Sequence, residues 1–123
     1  MKTPRLDKVR VPKSINPGPK TYALTAEGVC LQPAYNPGDI VVCDPDQMPE
    51  PGDFVAIWWK GGLEQPSIKR LTMGLPKREW WNVKGDFDFI LAVEQINPFK
   101  ALSAPLSKVD AVHKVIHRIP VKD

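Results

Sequence analysis

Residues 28–39 have the sequence Gly28-Val29-Cys30-Leu31-Gln32-Pro33-Ala34-Tyr35-Asn36-Pro37-Gly38-Asp39, and the apolar run Ile40-Val41-Val42-Cys43 follows them directly. The stretch ends in a Pro-Gly-Asp turn, and a second turn of the same sequence, Pro51-Gly52-Asp53, comes fourteen residues later. In each turn the proline presets the backbone, the glycine tolerates a positive φ and the aspartate can accept hydrogen bonds from nearby amides. The pattern therefore predicts two β-strands, each opened by the same kind of turn.

Short β-like runs separated by proline and glycine continue along the rest of the chain. Fourteen prolines among 123 residues leave few windows for a three-turn helix. Gly61-Gly62 is typical of a hairpin connection between antiparallel strands. The last run also fits helical spacing, but its β-branched residues and its alternation favour a strand. The predicted fold class is all-β with few or no long helices, and the predicted strands are Thr21–Thr25, Asp39–Cys43, Asp53–Trp59, Ser67–Leu71, Trp80–Val83, Phe87–Val93 and Val109–Ile119.

Length and composition predict a single globular domain. A chain of 123 residues can bury one core but not two, and 42% apolar with 25% charged residues is typical of globular proteins. No run approaches the ~18 consecutive apolar residues of a membrane span, and the N-terminus lacks the apolar core of a signal peptide. We therefore expect a cytoplasmic protein with no membrane partner.

The cysteines and histidines do not indicate a metal site. Cys30 and Cys43 are too few for a disulfide framework, and neither belongs to a cluster with metal-ligand spacing. His113 and His117 stand four residues apart, but no acidic or thiol neighbour is in register with them. Two ordinary surface histidines explain this pair better than zinc, and we predict no metal and no cofactor.

Positive charge is concentrated at the N-terminus. Residues 1–20 hold six basic residues and one acidic residue, whereas the rest of the chain holds 11 basic and 13 acidic residues. The prolines in the same segment predict an extended basic arm over residues 1–20, followed by a folded domain over residues 21–123. The arm is either a solvated tail or a segment that attracts nucleic acid or an acidic partner by charge.

Several separated motifs resemble the LexA-like self-cleaving peptidase domain, the family of SOS and phage repressor C-terminal domains and of UmuD. That family has a Gly-Asp-Ser-Met-x-Pro motif, then a Pro-Gly-Asp turn, then a Val-Lys-Arg-Leu strand. Here Cys30 falls on the nucleophilic serine, and Lys69, in Ser67-Ile68-Lys69-Arg70-Leu71, falls on the family's lysine. The resemblance covers residues 21–119; the other matching positions are Gly28, Pro33, Pro37, Gly38, Asp39, Asn97-Pro98-Phe99 and Asp110–Ile119.

The resemblance implies a variant of a Ser-Lys catalytic centre in a LexA/signal-peptidase-like fold of twisted antiparallel sheets. In such a dyad a neutral lysine accepts the proton of the nucleophile, and a backbone amide near the nucleophile binds the oxyanion. A cysteine at the serine position changes this balance, because a thiol is a stronger acid than a lysine ammonium group and can leave a thiolate–ammonium pair. Cys30 and Lys69 are therefore the candidate catalytic residues.

Further departures from the family pattern argue against self-cleavage. Val29, Leu31 and Gln32 replace the usual aspartate, methionine and glutamate, and the chain contains neither an Ala-Gly nor a Cys-Gly dipeptide of the kind that the family cleaves. On this interpretation Cys30 is a small buried residue of a site that has lost its catalytic activity, and Lys69 is an ordinary strand lysine whose side chain reaches solvent. We expect an inactive centre in a dimerisation or partner-binding module of bacterial or phage regulation, such as the SOS response.

An active Cys30/Lys69 peptidase acting in trans is one alternative, and a protein that binds single-stranded nucleic acid is another. Adjacent tryptophans in a strand point to opposite faces, so each pair predicts one core ring and one surface ring. Exposed tryptophan rings with nearby cations can stack on the bases of single-stranded nucleic acid. Paired tryptophans lie more often in a core or at a protein interface. The residues concerned are Trp58, Trp59, Trp80 and Trp81, with Lys60, Lys77, Arg78 and Lys84.

The resemblance also implies partners. The family dimerises through its C-terminal strands, which correspond here to Val109–Ile119, and the short segment before the first strand is closer to UmuD than to a repressor with a helix-turn-helix. Exposed strand edges favour such pairing. We expect a homodimer through the C-terminal strand, room for a further protein partner, and no direct nucleic-acid contact.

Overall fold

Seven strands form one antiparallel sheet in the computed structural model, which describes residues 18–28, 30–61, 66–82 and 89–121. The order across the sheet is β1-β2-β7-β3-β4-β5-β6. The strands are β1 (Tyr22–Thr25), β2 (Ile40–Asp44), β3 (Phe54–Trp59), β4 (Ser67–Leu71), β5 (Ile90–Ile96), β6 (Phe99–Pro105) and β7 (Val109–Ile119). The all-β prediction is confirmed. None of the helical elements in the described ranges is long and apolar enough to cross a bilayer.

The sheet carries a hydrophobic core on each face, which corrects the single core expected from the chain length, because the sheet separates the buried apolar residues into two groups. Side chains alternate along a strand, and β3 shows the consequence, because Val55 and Ile57 enter one core whereas Ala56 enters the other. All three residues are at most 1% exposed. The Leu91 core comprises Val55, Ile57, Leu71, Trp81, Leu91, Val93, Leu106, Val109 and Val112. The Leu24 core comprises Leu24, Ala26, Leu31, Tyr35, Val41, Cys43, Ala56 and Ile68.

β7 joins the two halves of the sheet. Its first half, from Val109 to Lys114, pairs with β3, and its second half, from Lys114 to Ile119, pairs with β2. The bounds of β7 are those predicted from the sequence. Because β1 pairs with β2 and β4 pairs with β3, this one strand connects the β1-β2 pair with the strands from β3 to β6.

The strand predicted at Trp80–Val83 is wrong for residues 80–82, the part of it that the structure describes. Arg78–Trp80 forms a 3-10 turn, in which the amide of Trp80 donates to the carbonyl of Lys77 over 2.9 Å. The amide of Trp81 donates in the same way to Arg78 over 3.2 Å, so these groups need no neighbouring strand. Trp81 enters the Leu91 core from this turn, and Val83 lies outside the described residues.

The hairpin of β5 and β6 differs from the prediction. β5 runs over Ile90–Ile96 instead of Phe87–Val93, while residues 87 and 88 lie outside the described part of the chain. β6 was not predicted, because its sequence, Phe-Lys-Ala-Leu-Ser-Ala-Pro, has little alternation. It forms the edge of the sheet and pairs with β5 from Ile96↔Phe99 to Ile90↔Pro105. Pairing with β5 therefore stabilises a strand that its own sequence does not indicate.

Candidate active site

The loop between β1 and β2 holds Cys30 against the end of β5. The carbonyl of Cys30 accepts two backbone hydrogen bonds, from the amide of Ile96 over 2.9 Å and from that of Asn97 over 2.8 Å. Gly28, two residues earlier, has a φ of +77°, a left-handed conformation that side chains disfavour. The turn between β5 and β6 therefore fixes the backbone of Cys30, a role that sequence analysis did not assign to Asn97-Pro98.

The far end of this loop is fixed by Asp39, which is fully buried. Its carboxylate accepts hydrogen bonds from the amides of Asn36 and Val121, both over 2.8 Å, and from Nε of Arg118 over 2.7 Å. Burial alone would raise the pKa of Asp39, but these three donors lower it below its usual value. The first Pro-Gly-Asp turn thus ties the Cys30 loop to the end of β7.

The second Pro-Gly-Asp turn has the same local geometry at the surface. Asp53 accepts a hydrogen bond from the amide of Glu50 over 2.8 Å, as Asp39 does from Asn36. The glycines of the two turns have φ values of +93° and +97°. The predicted positive φ and the predicted capping by aspartate are both confirmed.

β4 places Lys69 beside Cys30. Lys69 pairs with Val55 across β3 and β4, and its Nζ donates a hydrogen bond to Sγ of Cys30 over 3.7 Å. Both side chains are partly exposed. The two residues that the family resemblance assigned to catalysis therefore meet across thirty-nine positions of sequence, while their catalytic role stays a prediction.

Two clefts meet at Lys69. The first has a volume of about 270 Å³, and Cys30, Ser67 and Lys69 belong to its wall. The second has a volume of about 230 Å³ and shares Ser67 and Lys69 with the first, but its other walls are mainly apolar and include Ile57 and Leu91. A polypeptide segment bound at Cys30 therefore has an apolar cavity next to it.

The other cysteine lies in a different environment. Cys43 is fully buried in the Leu24 core, which confirms its predicted place in the interior. Burial raises the pKa of the Cys43 thiol to about 12. Cys43 is therefore an unreactive internal reference for Cys30, which is partly exposed at the cleft.

A polar cluster that sequence analysis missed connects β1, β3 and β7. It corrects the prediction of two surface histidines, because His113 is half-buried between Tyr22 and Trp58. Oη of Tyr22 shares a hydrogen bond of 2.6 Å with Nδ1 of His113 and accepts one of 2.7 Å from Nε1 of Trp58. Burial lowers the pKa of His113, and the surrounding carboxylates of Asp110, Asp44 and Asp46 oppose this effect. No sequence spacing links these three residues, because only the strand order brings them together.

In the described ranges no group of three or more His, Cys, Asp or Glu residues is arranged to hold a metal ion.

The four tryptophans do not line one surface. Trp58 packs against the Leu24 core and Trp59 against the Leu91 core, so adjacent rings point to opposite faces as predicted, although both are half-buried. Trp81 is 6% exposed and Trp80 is 49% exposed, as predicted for one core ring and one surface ring. Trp80 makes an edge-on contact with Phe89. Lys84, one of the associated cations, lies outside the described residues.

The comparisons with known proteins give one positive result. A family model described as Peptidase S24-like matches residues 2–82. The matched span starts inside the predicted arm, contains Cys30 and Lys69, and ends before β5. The resemblance of Asn97-Pro98-Phe99 and Asp110–Ile119 to the family's segments therefore stays a prediction. Neither the curated proteins nor the solved structures gave a significant match.

Proposed function

This chain belongs to the Peptidase S24-like family and has a LexA/UmuD-like peptidase domain, and from that premise we propose that Cys30 and Lys69 form a thiol peptidase dyad that acts on another polypeptide. The observation that carries the proposal is the 3.7 Å hydrogen bond between Nζ of Lys69 and Sγ of Cys30 in the wall of a cleft. A nucleophile and a base within hydrogen-bond reach are the minimum that covalent catalysis requires.

The reaction follows from the chemistry of the two groups. Lys69 takes the proton of the Cys30 thiol, and the sulfur attacks the carbonyl carbon of the substrate. When the tetrahedral intermediate collapses, the C–N bond breaks and Lys69 returns the proton to the leaving amine. Water then attacks the thioester with Lys69 again accepting a proton, which releases the acid and restores the thiol.

Two observations support a substrate from another chain. This chain lacks the Ala-Gly and Cys-Gly dipeptides at which the family cleaves itself. The apolar cleft that shares Ser67 and Lys69 with the Cys30 cleft can receive an apolar side chain next to the bond under attack. We therefore assign the substrate class as an extended polypeptide segment with an apolar residue near the cleaved bond.

The test uses a library of unstructured peptides incubated with the reduced protein, and mass spectrometry of the new termini. We expect cleavage by the wild type, none by Cys30→Ala, and a rate reduced about 10²- to 10⁴-fold by Lys69→Ala, the usual contribution of a general base. Cys43→Ala is the matched control and should retain activity, since Cys43 lies in the core away from the cleft wall. Equal cleavage by the wild type and Cys30→Ala would contradict the assignment.

A second readout does not depend on finding the peptide substrate. p-Nitrophenyl acetate should acetylate Cys30, and hydrolysis of the thioester should follow with continued release of nitrophenolate. Lys69→Ala should slow both steps, because each needs a proton acceptor at the sulfur or at water. A wild-type protein whose Cys30 takes up no acetyl group faster than an unstructured cysteine peptide argues for the inactive centre.

A binding module without catalysis is the second candidate, and the pairing of β7 favours it. β3 pairs with β7 only as far as Lys114, so among the described strands residues 115–119 have a partner, β2, on one side alone. A free edge of this kind pairs readily with another chain. This candidate is a homodimer through the C-terminal strand that recruits a protein partner in bacterial or phage regulation in the cytoplasm, such as the SOS response.

Sedimentation equilibrium tests this second candidate. The wild type should sediment as a dimer, and Ile116→Lys, which places a charge at that edge, should sediment as a monomer. Ala101→Lys is the matched control on the other sheet edge, β6, where the residue is exposed, and it should remain a dimer. A wild type that stays monomeric at every concentration would exclude this dimer.

A further inference from the structure

The contact between Cys30 and Lys69 joins two nucleophiles, a thiol and an amine, at the surface of the protein. Cys30 is partly exposed at the cleft, and Nζ of Lys69 lies 3.7 Å from its sulfur. We propose that a hydroperoxide converts this pair into a covalent sulfur–nitrogen crosslink, a sulfenamide between Sγ of Cys30 and Nζ of Lys69, which thiols reverse. The crosslink depends on this geometry, whereas its consequence, a reversible loss of peptidase activity, rests on the proposed function.

The first step oxidises the sulfur. The Cys30 thiolate attacks one oxygen of the hydroperoxide, an S–O bond forms and the O–O bond breaks. The sulfur loses two electrons and becomes a sulfenic acid. The departing hydroxide, or alkoxide if the peroxide is organic, takes the proton that Lys69 received from the thiol and leaves as water or alcohol, so the amine is then neutral. A sulfenic acid condenses with a nearby thiol or nitrogen when one is within reach.

The second step forms the crosslink without further oxidation. The neutral amine of Lys69 attacks the sulfur, the S–N bond forms, the S–O bond breaks, and the departing hydroxide takes a proton from the nitrogen to leave as water. The sum consumes one thiol, one amine and one hydrogen peroxide, and yields one sulfenamide and two waters. A free thiol reverses it by attacking the sulfur, which releases the amine, and a second thiol then frees Cys30.

Three features of the structure favour Lys69 as the group that captures the oxidised sulfur. The backbone of Cys30 is held by the hydrogen bonds from Ile96 and Asn97, so the sulfur stays at the cleft. The lysine has a flexible four-carbon side chain, and rotation within it closes the remaining distance. The competing thiol of Cys43 is fully buried and its pKa is raised to about 12, so it is a poor nucleophile.

The experiment must separate the crosslink from two other products. A disulfide between Cys30 and Cys43 has lost the same two hydrogen atoms, and the exposed Met48 and Met73 take up oxygen from peroxide. Proteolysis after glutamate distinguishes the crosslink from both products. It places both cysteines in one peptide, residues 28–64, because the proline after Glu50 protects that site from cleavage, and it places Lys69 in another, residues 65–79. Only the sulfenamide links these two peptides to each other.

The full-length protein is therefore treated with hydrogen peroxide, digested without reductant and analysed by mass spectrometry. We expect a linked pair of peptides in the wild type and in Cys43→Ala, its disappearance after dithiothreitol, and its absence in Lys69→Met and Cys30→Ser. Retention of the pair in Lys69→Met, or oxygen adducts of Cys30 with no linked pair in the wild type, would overturn the crosslink.

Turnover of p-nitrophenyl acetate is followed in the same samples. Peroxide should abolish this turnover. Dithiothreitol should restore the turnover to the same extent as it removes the linked pair of peptides. Activity that survives complete crosslinking overturns the regulatory inference. A protein that crosslinks but has no activity before oxidation overturns the proposed function and leaves the crosslink standing, so the two failures are distinguishable.

Discussion

Asp39 and Asp53 occupy the same position of the same turn motif, yet they have different surroundings. Asp39 is buried and accepts hydrogen bonds from Asn36 in its own turn and from Arg118 and Val121 in the C-terminal segment. Asp53 has an exposed turn and a longer ion pair of 3.6 Å to Lys114. The sequence motif predicts the turn in both cases, but it cannot predict burial, which depends on the C-terminal segment folding over the first turn only.

Asp39→Asn should destabilise the protein by about 2–3 kcal/mol, because it removes the charge that the buried hydrogen bonds and the partly exposed Arg118 guanidinium complement. Asp53→Asn is the matched control and should cost less than about 1 kcal/mol, as is usual for exposed ion pairs. Urea unfolding followed by circular dichroism measures both. Equal losses for the two variants would show that Asp39 contributes no more than the turn itself.

The candidate site was predictable at the same scale only in part. The family resemblance predicts Cys30 and Lys69 as a pair, and the structure brings them within hydrogen-bond distance. Tyr22 and His113 belong to no motif, although they share a hydrogen bond of 2.6 Å. The family resemblance indicates a pair of residues from a loop and a distant strand, whereas no motif indicates the contacts across three strands, which depend on sheet order.

At the level of elements, sequence prediction depended on how far each strand supplies its own stability. β2, β3 and β7 are rich in β-branched and aromatic residues and were predicted within a residue of their bounds. β4 has only Ile68 of this kind, and its prediction depended on the Gly61-Gly62 turn before it. β6 has few such residues and exists as the partner of β5. The 3-10 turn at Arg78–Trp80 replaced a predicted strand because Trp81 reaches the Leu91 core from a tight turn.

The anchoring role of this turn gives a prediction. Trp81→Ala should destabilise the protein by about 3–5 kcal/mol, the cost of removing a large aromatic side chain from a core, because the ring is 6% exposed and its Nε1 donates to the carbonyl of Pro76. Trp80→Ala is the matched control, since that ring is 49% exposed, and should cost less than about 1 kcal/mol. Thermal unfolding followed by circular dichroism compares them, and similar melting temperatures for both variants would refute the anchor.

The whole molecule depends on β7, which pairs with β2 on one side and with β3 on the other and so joins the two parts of the sheet. The Tyr22, Trp58 and His113 cluster reinforces this connection with side chains, since it joins β1, β3 and β7 by two short hydrogen bonds. Because burial lowers the pKa of His113, the imidazole within this junction stays neutral at pH values where an exposed histidine is charged. Global stability should therefore respond to the titration of this one residue.

The sign of the response follows from linkage. Above about pH 6.5, the usual histidine pKa, His113 is neutral in both the folded and the unfolded chain and does not affect the pH dependence. Below it the unfolded chain binds a proton first, so the free energy of unfolding should fall by up to about 1.4 kcal/mol per pH unit until the folded pKa is reached. Asp39 and Asp44, whose pKa values are lowered, should titrate only at more acidic pH.

Urea unfolding between roughly pH 5 and 8 measures this slope, and His113→Gln should remove it while keeping a polar side chain beside Tyr22. His117→Gln is the matched control, because it removes a histidine from the same strand but outside the cluster, and it should retain the slope. The hydrogen bond from Trp58 to Tyr22 persists in both variants, so neither should lose the junction itself. A slope that persists in His113→Gln and vanishes in His117→Gln would place the proton uptake outside the junction and contradict the lowered pKa of the half-buried His113.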